Sequence, residues 1–292
     1  MTPHADTFEF GSRTVHRLGF GAMQLPGKGV FGPPRDRDEA IAVVRRAVER
    51  GVDHIDTAQY YGPDVANELL RAALYPFPEQ LALVSKVGAQ RDETGGWVTA
   101  ARPEQLRGGV ADNLRALGVE RLHAVNLRLP DAGHEEPGVG FDEQLDAMAA
   151  MRDEGLIAGV GLSNVSLDQF RHAVGRTEIV CVQNPLNLAD RASLPLLRAC
   201  EERGIAFVPF FPLGSAFGGQ NRVLGSPEVV ATAERLGATP AQVALAWVLA
   251  LAPNTLLIPG TSSLAHLDEN LAAATLTLDD EALGTLTAGF RP

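Results

Sequence analysis

The sequence is poor in cysteine and has no long apolar run. Its two cysteines, Cys181 and Cys200, are too few for a disulfide framework and fit a reducing compartment. Because both lie in apolar or helical surroundings, we expect buried structural thiols rather than reactive ones. No stretch approaches the ~18 apolar residues of a transmembrane helix, and the first ten residues lack the basic and apolar regions of a signal peptide. We therefore expect a soluble protein of the cytoplasm.

Basic residues are also fewer than acidic ones. The 25 Lys and Arg side chains against 36 Asp and Glu give a formal net charge of -11, which argues against nucleic acid or an anionic membrane as a partner. A small anionic ligand is still compatible with this charge, because its pocket needs only local donors. The histidines show no metal-ligand spacing, so we predict no metal site.

What the sequence does contain is a large apolar fraction, 45% of 292 residues, with no low-complexity linker. We expect one domain over residues 1–292, because barrels of ~250 residues often fold as a single unit. Short apolar runs alternate with amphipathic stretches, and this alternation predicts a parallel sheet. The predicted strands are 18–23, 54–56, 81–86, 122–127, 157–162, 179–183, 206–210 and 255–258, and the predicted helices include 38–50, 103–117, 141–154, 194–203 and 240–250.

Eight strand–helix units favour a closed (β/α)8 TIM barrel over an open doubly wound sheet. The open sheet would be favoured by a GxGxxG sequence at a strand–helix junction, whereas Gly27-Lys28-Gly29 lies in a proline-rich loop. Ahead of the barrel, short apolar runs on both sides of Gly11-Ser12 predict an N-terminal β-hairpin. The glycine-rich segment 209–227 predicts a long loop over the barrel mouth.

Three charged side chains lie at the ends of consecutive predicted strands. They are Asp56, Lys86 and Arg128, and strands ~4.8 Å apart should bring them together, with Tyr61 on the loop just above. A tyrosine hydroxyl has a pKa near ~10, and an ammonium such as that of Lys86 would lower this pKa towards that of a useful general acid. Asp56 would hold Lys86 in place. The positions alone also allow a loop aromatic above an ordinary buried ion pair.

The order and spacing of these residues resemble the aldo-keto reductase family along nearly the whole chain. The motif DTAQYYG at 56–62 resembles the segment with the family's catalytic aspartate and tyrosine, and Ser85-Lys86 resembles the segment with its catalytic lysine. The resemblance implies NADP-dependent reduction of a small-molecule aldehyde, with Asp56, Tyr61 and Lys86 catalytic. Further segments that resemble the family are 17–23, 161–164, 182–185, 210–214, and 258–263 followed by Glu269-Asn270.

The resemblance also implies a cofactor site and a substrate. Ser163, Asn164 and Gln183 would hold the nicotinamide carboxamide, and Phe210 would stack on the nicotinamide ring. Segments 29–37, 125–128 and 208–214 resemble in particular the bacterial pyridoxal reductases, which implies reduction of pyridoxal to pyridoxine. Reduction of another small aldehyde or ketone is the alternative. The implied cofactor-binding residues are Gly21, Ala22, Met23, Asp56, Ser163, Asn164, Gln183, Phe210, Pro212, Leu213, Gly214, Gly260, Thr261, Ser262, His266, Glu269 and Asn270.

Two positions depart from the family pattern. In place of the usual catalytic histidine the chain has Arg128, whose permanent charge could stabilise an oxyanion or bind a substrate anion. Alternatively, Arg128 pairs with Asp131 and is structural. Where many relatives grip the 2′-phosphate of NADP with a lysine and an arginine, the chain has Gly260 and His266. Backbone N–H groups and hydroxyls at 260–263 could bind that phosphate, so we expect NADP rather than NAD.

Two other functions stay open on the sequence. The family includes channel-associated subunits that bind NADP and turn over slowly, so a sensor or regulatory subunit is one alternative. A Schiff-base aldolase acting through Lys86 is the other. The intact set of Asp56, Tyr61 and Lys86 argues against both. The sequence makes no prediction of the oligomeric state.

Overall fold

A short antiparallel hairpin opens the structure, a computed structural model that describes residues 7–131, 138–214 and 221–290. Strands β1 (Thr7–Phe10) and β2 (Arg13–His16) pair around the predicted turn, where Gly11 has a φ of 58°. Phe10 and Val15 are buried against side chains from inside the barrel. The hairpin therefore closes one end of the barrel.

Parallel strands then form a sheet that closes on itself. The strands are β3 (Phe20–Gly21), β4 (His54–Asp56), β5 (Ala82–Arg91), β6 (Trp97–Ala100), β7 (Ala124–Arg128), β8 (Val160–Ser163), β9 (Ile179–Gln183) and β10 (Ala206–Phe207). Apart from β6, they pair in parallel in chain order. Single parallel bridges from Thr255 to Phe207 and from Leu257 to Leu18 complete the ring. The predicted (β/α)8 barrel with an N-terminal hairpin is confirmed, although its eighth strand is reduced to these bridges.

Helices alternate with the strands and surround the barrel. Their ends follow from local sequence: Asp36 accepts a hydrogen bond from the Glu39 N–H at the start of the first helix, and Thr239 accepts one from the Gln242 N–H at the start of the eighth. The helices are α1 (Arg37–Glu49), α2 (Val65–Leu74), α3 (Pro103–Leu117), α4 (Phe141–Asp153), α5 (Leu167–Val174), α6 (Leu194–Glu201), α7 (Pro227–Leu236), α8 (Pro240–Leu251), α9 (Leu264–Ala272) and α10 (Asp280–Gly289).

The main difference from the predicted elements is a second hairpin. Strand β5 continues past Lys86 and pairs antiparallel with β6, so that Arg91 lies opposite Trp97. The strand leaves the barrel at Gly88, whose φ is 104° and where an added Cβ would lie 2.3 Å from the Arg128 carbonyl oxygen. A side chain there would be both strained and obstructed, so glycine allows the hairpin to project beside the end of β7.

The remaining predictions about the fold concern a loop and the two cysteines. The described parts of the predicted loop 209–227 contain no helix or extended strand before α7 begins at Pro227, and residues 215–220 lie outside the described residues. Cys181 and Cys200 are buried and free, as predicted. Burial raises the pKa of the Cys200 thiol to about 12 and also raises the pKa of Cys181. Within the described ranges, no helix is long and apolar enough to cross a membrane, and no group of three or more potential ligands could hold a metal ion.

Candidate active site

A cavity of about 880 Å³ opens at the carboxyl ends of the parallel strands. Asp56 ends β4, Arg128 ends β7, Ser163 ends β8 and Gln183 ends β9, and all four line this cavity. Strand register sets their order, because Arg128 pairs with Ser163 and Ser163 pairs with Gln183. The predicted meeting of the strand ends is therefore present, at the end of the barrel that carries function in this fold.

Asp56 is the centre of a buried hydrogen-bonded group. The Lys86 ammonium donates to Asp56 Oδ1 and also to the carbonyl oxygen of Thr57, at 3.1 Å. Gln183 Nε2 donates to the other carboxylate oxygen of Asp56, at 2.6 Å. The side chains of Lys86 and Asp56 are 7% and 5% exposed, so the ion pair is shielded from water. Separating the two charges would leave each of them buried and uncompensated, which costs free energy. The ion pair therefore holds both side chains in place.

Tyr61 lies above this ion pair, with its ring centre 5.1 Å from Lys86 Nζ. The Tyr61 ring also meets the Tyr60 ring edge to face, at 5.4 Å between centroids. Tyr61 lines the cavity, and within the described ranges its hydroxyl forms no hydrogen bond to another residue. The hydroxyl is therefore available to a ligand in the cavity.

The electrostatic surroundings of Tyr61 differ from the predicted ones. Burial raises the pKa of the Tyr61 hydroxyl and the Asp56 carboxylate raises it further, whereas Arg128 and Arg91 lower it. The net shift of this pKa is therefore opposite to the predicted lowering, because burial and the Asp56 carboxylate outweigh the neighbouring positive charges. The hydroxyl therefore keeps its proton near neutral pH, and the two guanidinium groups favour its release.

Arg128 is half-buried in the cavity wall, with its guanidinium carbon 5.9 Å from the centre of the Phe210 ring. The alternative partner, Asp131, instead accepts a hydrogen bond from Asn164 Nδ2 at 2.9 Å. Among the described residues, no carboxylate lies within ion-pair distance of Arg128. The structural alternative for Arg128, a pair with Asp131, is therefore absent.

The predicted carboxamide site holds two unsatisfied polar atoms. Ser163 Oγ and Gln183 Oε1 are buried without a hydrogen-bond partner among the described residues. A carboxylate can only accept hydrogen bonds, so Asp56 forces Gln183 to present its NH2 group inwards and leaves Oε1 free. Unpaired buried polar atoms are costly, and a carboxamide has both a donor and an acceptor to satisfy them. The residues at this position therefore fit a nicotinamide cofactor.

The other predicted cofactor residues fall into two groups. The first group lines the cavity and consists of Gly21, Met23, Asn164, Phe210, Pro212, Leu213, Gly214 and Gly260. Outside the cavity, Ser262 and His266 are exposed near the start of α9, and Thr261 accepts a hydrogen bond from the Ser263 N–H. The Glu269 carboxylate accepts one from Thr239, and Asn270 is buried. Ala22 is fully buried and does not line the cavity, which counts against its predicted contact.

The sequence reasoning missed the contribution of the second hairpin. Trp97, Val98 and Thr99 from β6 line the cavity, together with Asn221. A signal was present, because Gly95-Gly96 precedes a run of aromatic and β-branched residues, which is typical of a hairpin turn followed by a strand.

Known proteins resemble this chain in sequence over nearly its whole length. The Aldo/keto reductase family matches residues 17–289. Pyridoxine 4-dehydrogenase of Escherichia coli K12 is 50% identical over 283 residues, which is 97% of each chain. An uncharacterized oxidoreductase of Schizosaccharomyces pombe is 38% identical over 97% of this chain and 89% of its own.

The fold agrees with these sequence matches. The crystal structure of an aldo/keto reductase from Klebsiella pneumoniae in complex with NADP and acetate has a TM-score of 0.82 and 25% identity, covering 98% of this chain and 96% of that one. With barrel, strand-end residues and sequence in agreement, this chain belongs to the Aldo/keto reductase family and is an oxidoreductase.

Proposed function

We propose that the protein reduces an aldehyde to an alcohol with NADPH, and that the aldehyde is pyridoxal, which it converts to pyridoxine. The observation that carries this proposal is the grouping of Tyr61, the Asp56–Lys86 pair and the Arg128 guanidinium around one cavity. The name of the Escherichia coli relative, pyridoxine 4-dehydrogenase, supports the same pair of compounds. Hydride transfer between them is reversible, so reduction and oxidation describe one equilibrium.

The residues of the chain supply the proton and stabilise the charge. Tyr61 is protonated because burial raises its pKa, and its hydroxyl donates that proton to a carbonyl oxygen held in the cavity. Arg128 stabilises negative charge on that oxygen and on the phenolate that remains after the transfer. The Lys86 ammonium, held by Asp56, packs against one face of the Tyr61 ring and so positions it. When bound, the reduced nicotinamide supplies the hydride.

The charge of Arg128 favours pyridoxal among aldehydes. Pyridoxal carries a 3-hydroxyl beside its aldehyde, and this hydroxyl ionises readily. A guanidinium presents several donors in a fixed plane, so it can bind the 3-oxyanion and the carbonyl oxygen together. A histidine, which the family pattern implies at this position, would offer one donor when neutral.

The cavity also supports the choice of cofactor. Ser163 Oγ and Gln183 Oε1 would bind the carboxamide, and Phe210 would lie against the nicotinamide ring. At the adenosine end, the backbone N–H groups that begin α9 and the hydroxyls of Thr261 and Ser262 would bind the 2′-phosphate. We therefore propose NADP rather than NAD.

Two alternatives have less support. A sensor or regulatory subunit would not need a free tyrosine hydroxyl beside a buried ion pair. A Schiff-base aldolase needs an uncharged, accessible amine, whereas the Lys86 ammonium is ion-paired to Asp56 under the Tyr61 ring. We also propose that residues 1–292 form one domain, because the elements from β1 to α10 surround a single barrel.

A substrate screen tests the proposal. We would measure oxidation of NADPH and of NADH with pyridoxal, benzaldehyde and propanal, and oxidation of pyridoxine with NADP. We expect pyridoxal with NADPH to have the highest kcat/KM, by about tenfold or more, equivalent to ~1.4 kcal/mol in the transition state. Tight NADPH binding without turnover of any aldehyde would indicate a sensor. Borohydride trapping of a substrate on Lys86 would indicate an aldolase.

A further inference from the structure

The β5–β6 hairpin contributes an aromatic side chain to the wall of the active-site cavity. Trp97 lines the cavity and is 47% exposed. Its indole meets the buried Tyr60 ring edge to face, with centroids 5.4 Å apart. Tyr60 in turn meets Tyr61 edge to face, also at 5.4 Å. A continuous aromatic surface therefore runs from the proton donor to the mouth of the cavity.

Arg91 holds the indole of Trp97 in position. The Arg91 guanidinium lies 3.5 Å from the centre of the indole and covers one of its faces. The same guanidinium donates to the carbonyl oxygens of Gly95 at 2.6 Å, Gly29 at 2.9 Å and Val30 at 3.0 Å. These bonds tie the hairpin to the loop after β3, so the indole is ordered before a ligand binds. A ligand that contacts its free face or edge loses little entropy in fixing it.

We propose that Trp97 determines substrate specificity, and that with Tyr60 it forms an aromatic wall that selects planar ring aldehydes over aliphatic ones. This inference rests on the proposed aldehyde reduction and deepens it. Charge and ring are then recognised by different residues, because Arg128 lies at the end of β7 and Trp97 lies on the hairpin. The two kinds of recognition can therefore be separated by mutation.

A comparison of three substrates on two Trp97 variants tests this division. Trp97→Leu removes the aromatic ring and Trp97→Phe keeps one. We expect Trp97→Leu to lower kcat/KM for pyridoxal and for benzaldehyde about three- to tenfold, mainly through KM, because aromatic contacts contribute effects of this size. Trp97→Phe should retain most of the activity, and propanal should change less than about twofold with either variant.

A matched control is available on another surface of the molecule. Tyr75 is 57% exposed and also has an arginine over its ring, with the Arg71 guanidinium carbon 5.4 Å from the ring centre. Tyr75 does not line the active-site cavity, so Tyr75→Leu should leave the kinetics of all three substrates unchanged. Equal losses for propanal and the ring aldehydes in Trp97→Leu, or no loss for the ring aldehydes, would overturn the proposal.

Fluorescence provides a test that does not depend on turnover. The chain has two tryptophans, and the other, Trp247, is buried in a separate apolar cluster. Titrating the NADP complex with benzyl alcohol should give a saturable change in tryptophan emission that propan-1-ol does not give and that Trp97→Phe abolishes. The same change in Trp97→Phe, or none in the wild type, would contradict the inference. Failure to reduce pyridoxal would instead count against the proposed function alone.

Discussion

The guanidinium carbon of Arg128 lies 5.9 Å from the centre of the Phe210 ring, at the mouth of the barrel. Arg128 ends β7, and Phe210 lies after β10. Because Asp131 is hydrogen-bonded to Asn164 instead, the Arg128 charge faces the cavity rather than a loop carboxylate. This placement supports the proposed role of Arg128 in recognising anionic substrates.

Arg128→Met should therefore weaken catalysis selectively. Charge-assisted contacts contribute ~1.5–3 kcal/mol, so kcat/KM for pyridoxal should fall roughly ten- to a hundredfold. Benzaldehyde, which offers only its carbonyl oxygen, should lose clearly less. Steady-state kinetics of both substrates on both proteins would measure this difference. Equal losses would mean that Arg128 serves the carbonyl common to both substrates, or the fold.

Ser163→Ala should have opposite effects on the free protein and on cofactor binding. Ser163 Oγ is buried and unpaired in the described structure, so its removal should leave the free protein as stable or slightly more stable. If the hydroxyl binds the carboxamide, NADPH affinity should fall roughly two- to tenfold. Thermal unfolding without cofactor and a binding titration would report the two effects.

Ser85→Ala is the control for Ser163→Ala, because it removes a buried serine hydroxyl that is already hydrogen-bonded within the protein. The Ser85 hydroxyl donates to Asn113 Oδ1 at 2.6 Å inside the protein. Its loss should destabilise the free protein by about 1 kcal/mol and leave NADPH affinity unchanged. Unchanged NADPH affinity in Ser163→Ala would remove Ser163 from the cofactor site.

Gly88→Ala should disturb the hairpin that carries Trp97. The added Cβ would lie 2.3 Å from the Arg128 carbonyl oxygen, at a φ of 104°. We expect a loss of about 1–3 kcal/mol in the free energy of unfolding, together with a loss of activity. Gly155 also has a positive φ, 84°, but has no atom within 4 Å of an added Cβ. Gly155→Ala should therefore lower the free energy of unfolding by less than Gly88→Ala does, and it should leave activity intact. Equal effects of the two variants would contradict the steric argument.

Acid should destabilise the protein through His123. Burial lowers the pKa of His123 to about 4, and its ring nitrogen Nε2 lies 2.8 Å from the Phe10 carbonyl oxygen. As the pH falls, the unfolded chain takes up this proton first, near pH ~6.5. The contribution of neutral His123 to the free energy of unfolding is therefore complete above that pH and is lost as the pH falls towards 4. His123→Gln should reduce the loss of unfolding free energy between neutral pH and about pH 4 by ~2–3 kcal/mol.

The control for acid unfolding is the exposed His266. His266→Gln should leave the pH dependence of urea unfolding as in the wild type, measured without cofactor. If His123→Gln also follows the wild-type curve, then protonation of His123 does not contribute to acid unfolding.

The barrel and the grouping of charged side chains at the strand ends could be predicted because their signals are local. Each strand is a short apolar run between helical patterns, and Asp56, Lys86 and Arg128 each follow such a run directly. The topology of parallel strands then places their ends together. The spacing of Tyr61 from Asp56 is local in the same sense.

What the sequence did not predict depends on contacts between distant residues. Gln183 donates a hydrogen bond to Asp56, 127 residues away in the sequence. No local pattern indicates that the NH2 group of this glutamine will bind that carboxylate. The direction of the Tyr61 pKa shift was predicted wrongly because burial, which no local pattern indicates, dominates that pKa. The β6 hairpin was missed because its exposed residues do not alternate between apolar and polar.

Activity of Tyr61→Phe tests the central claim most directly. Phenylalanine keeps the ring over Lys86 but removes the hydroxyl that donates the proton. We predict that kcat/KM for pyridoxal with NADPH falls below about a tenth of the wild-type value, equivalent to ~1.4 kcal/mol or more of transition-state stabilisation, while NADPH affinity is nearly unchanged. Retention of more than about a tenth of kcat/KM, with cofactor binding intact, would contradict the role of Tyr61 as the proton donor.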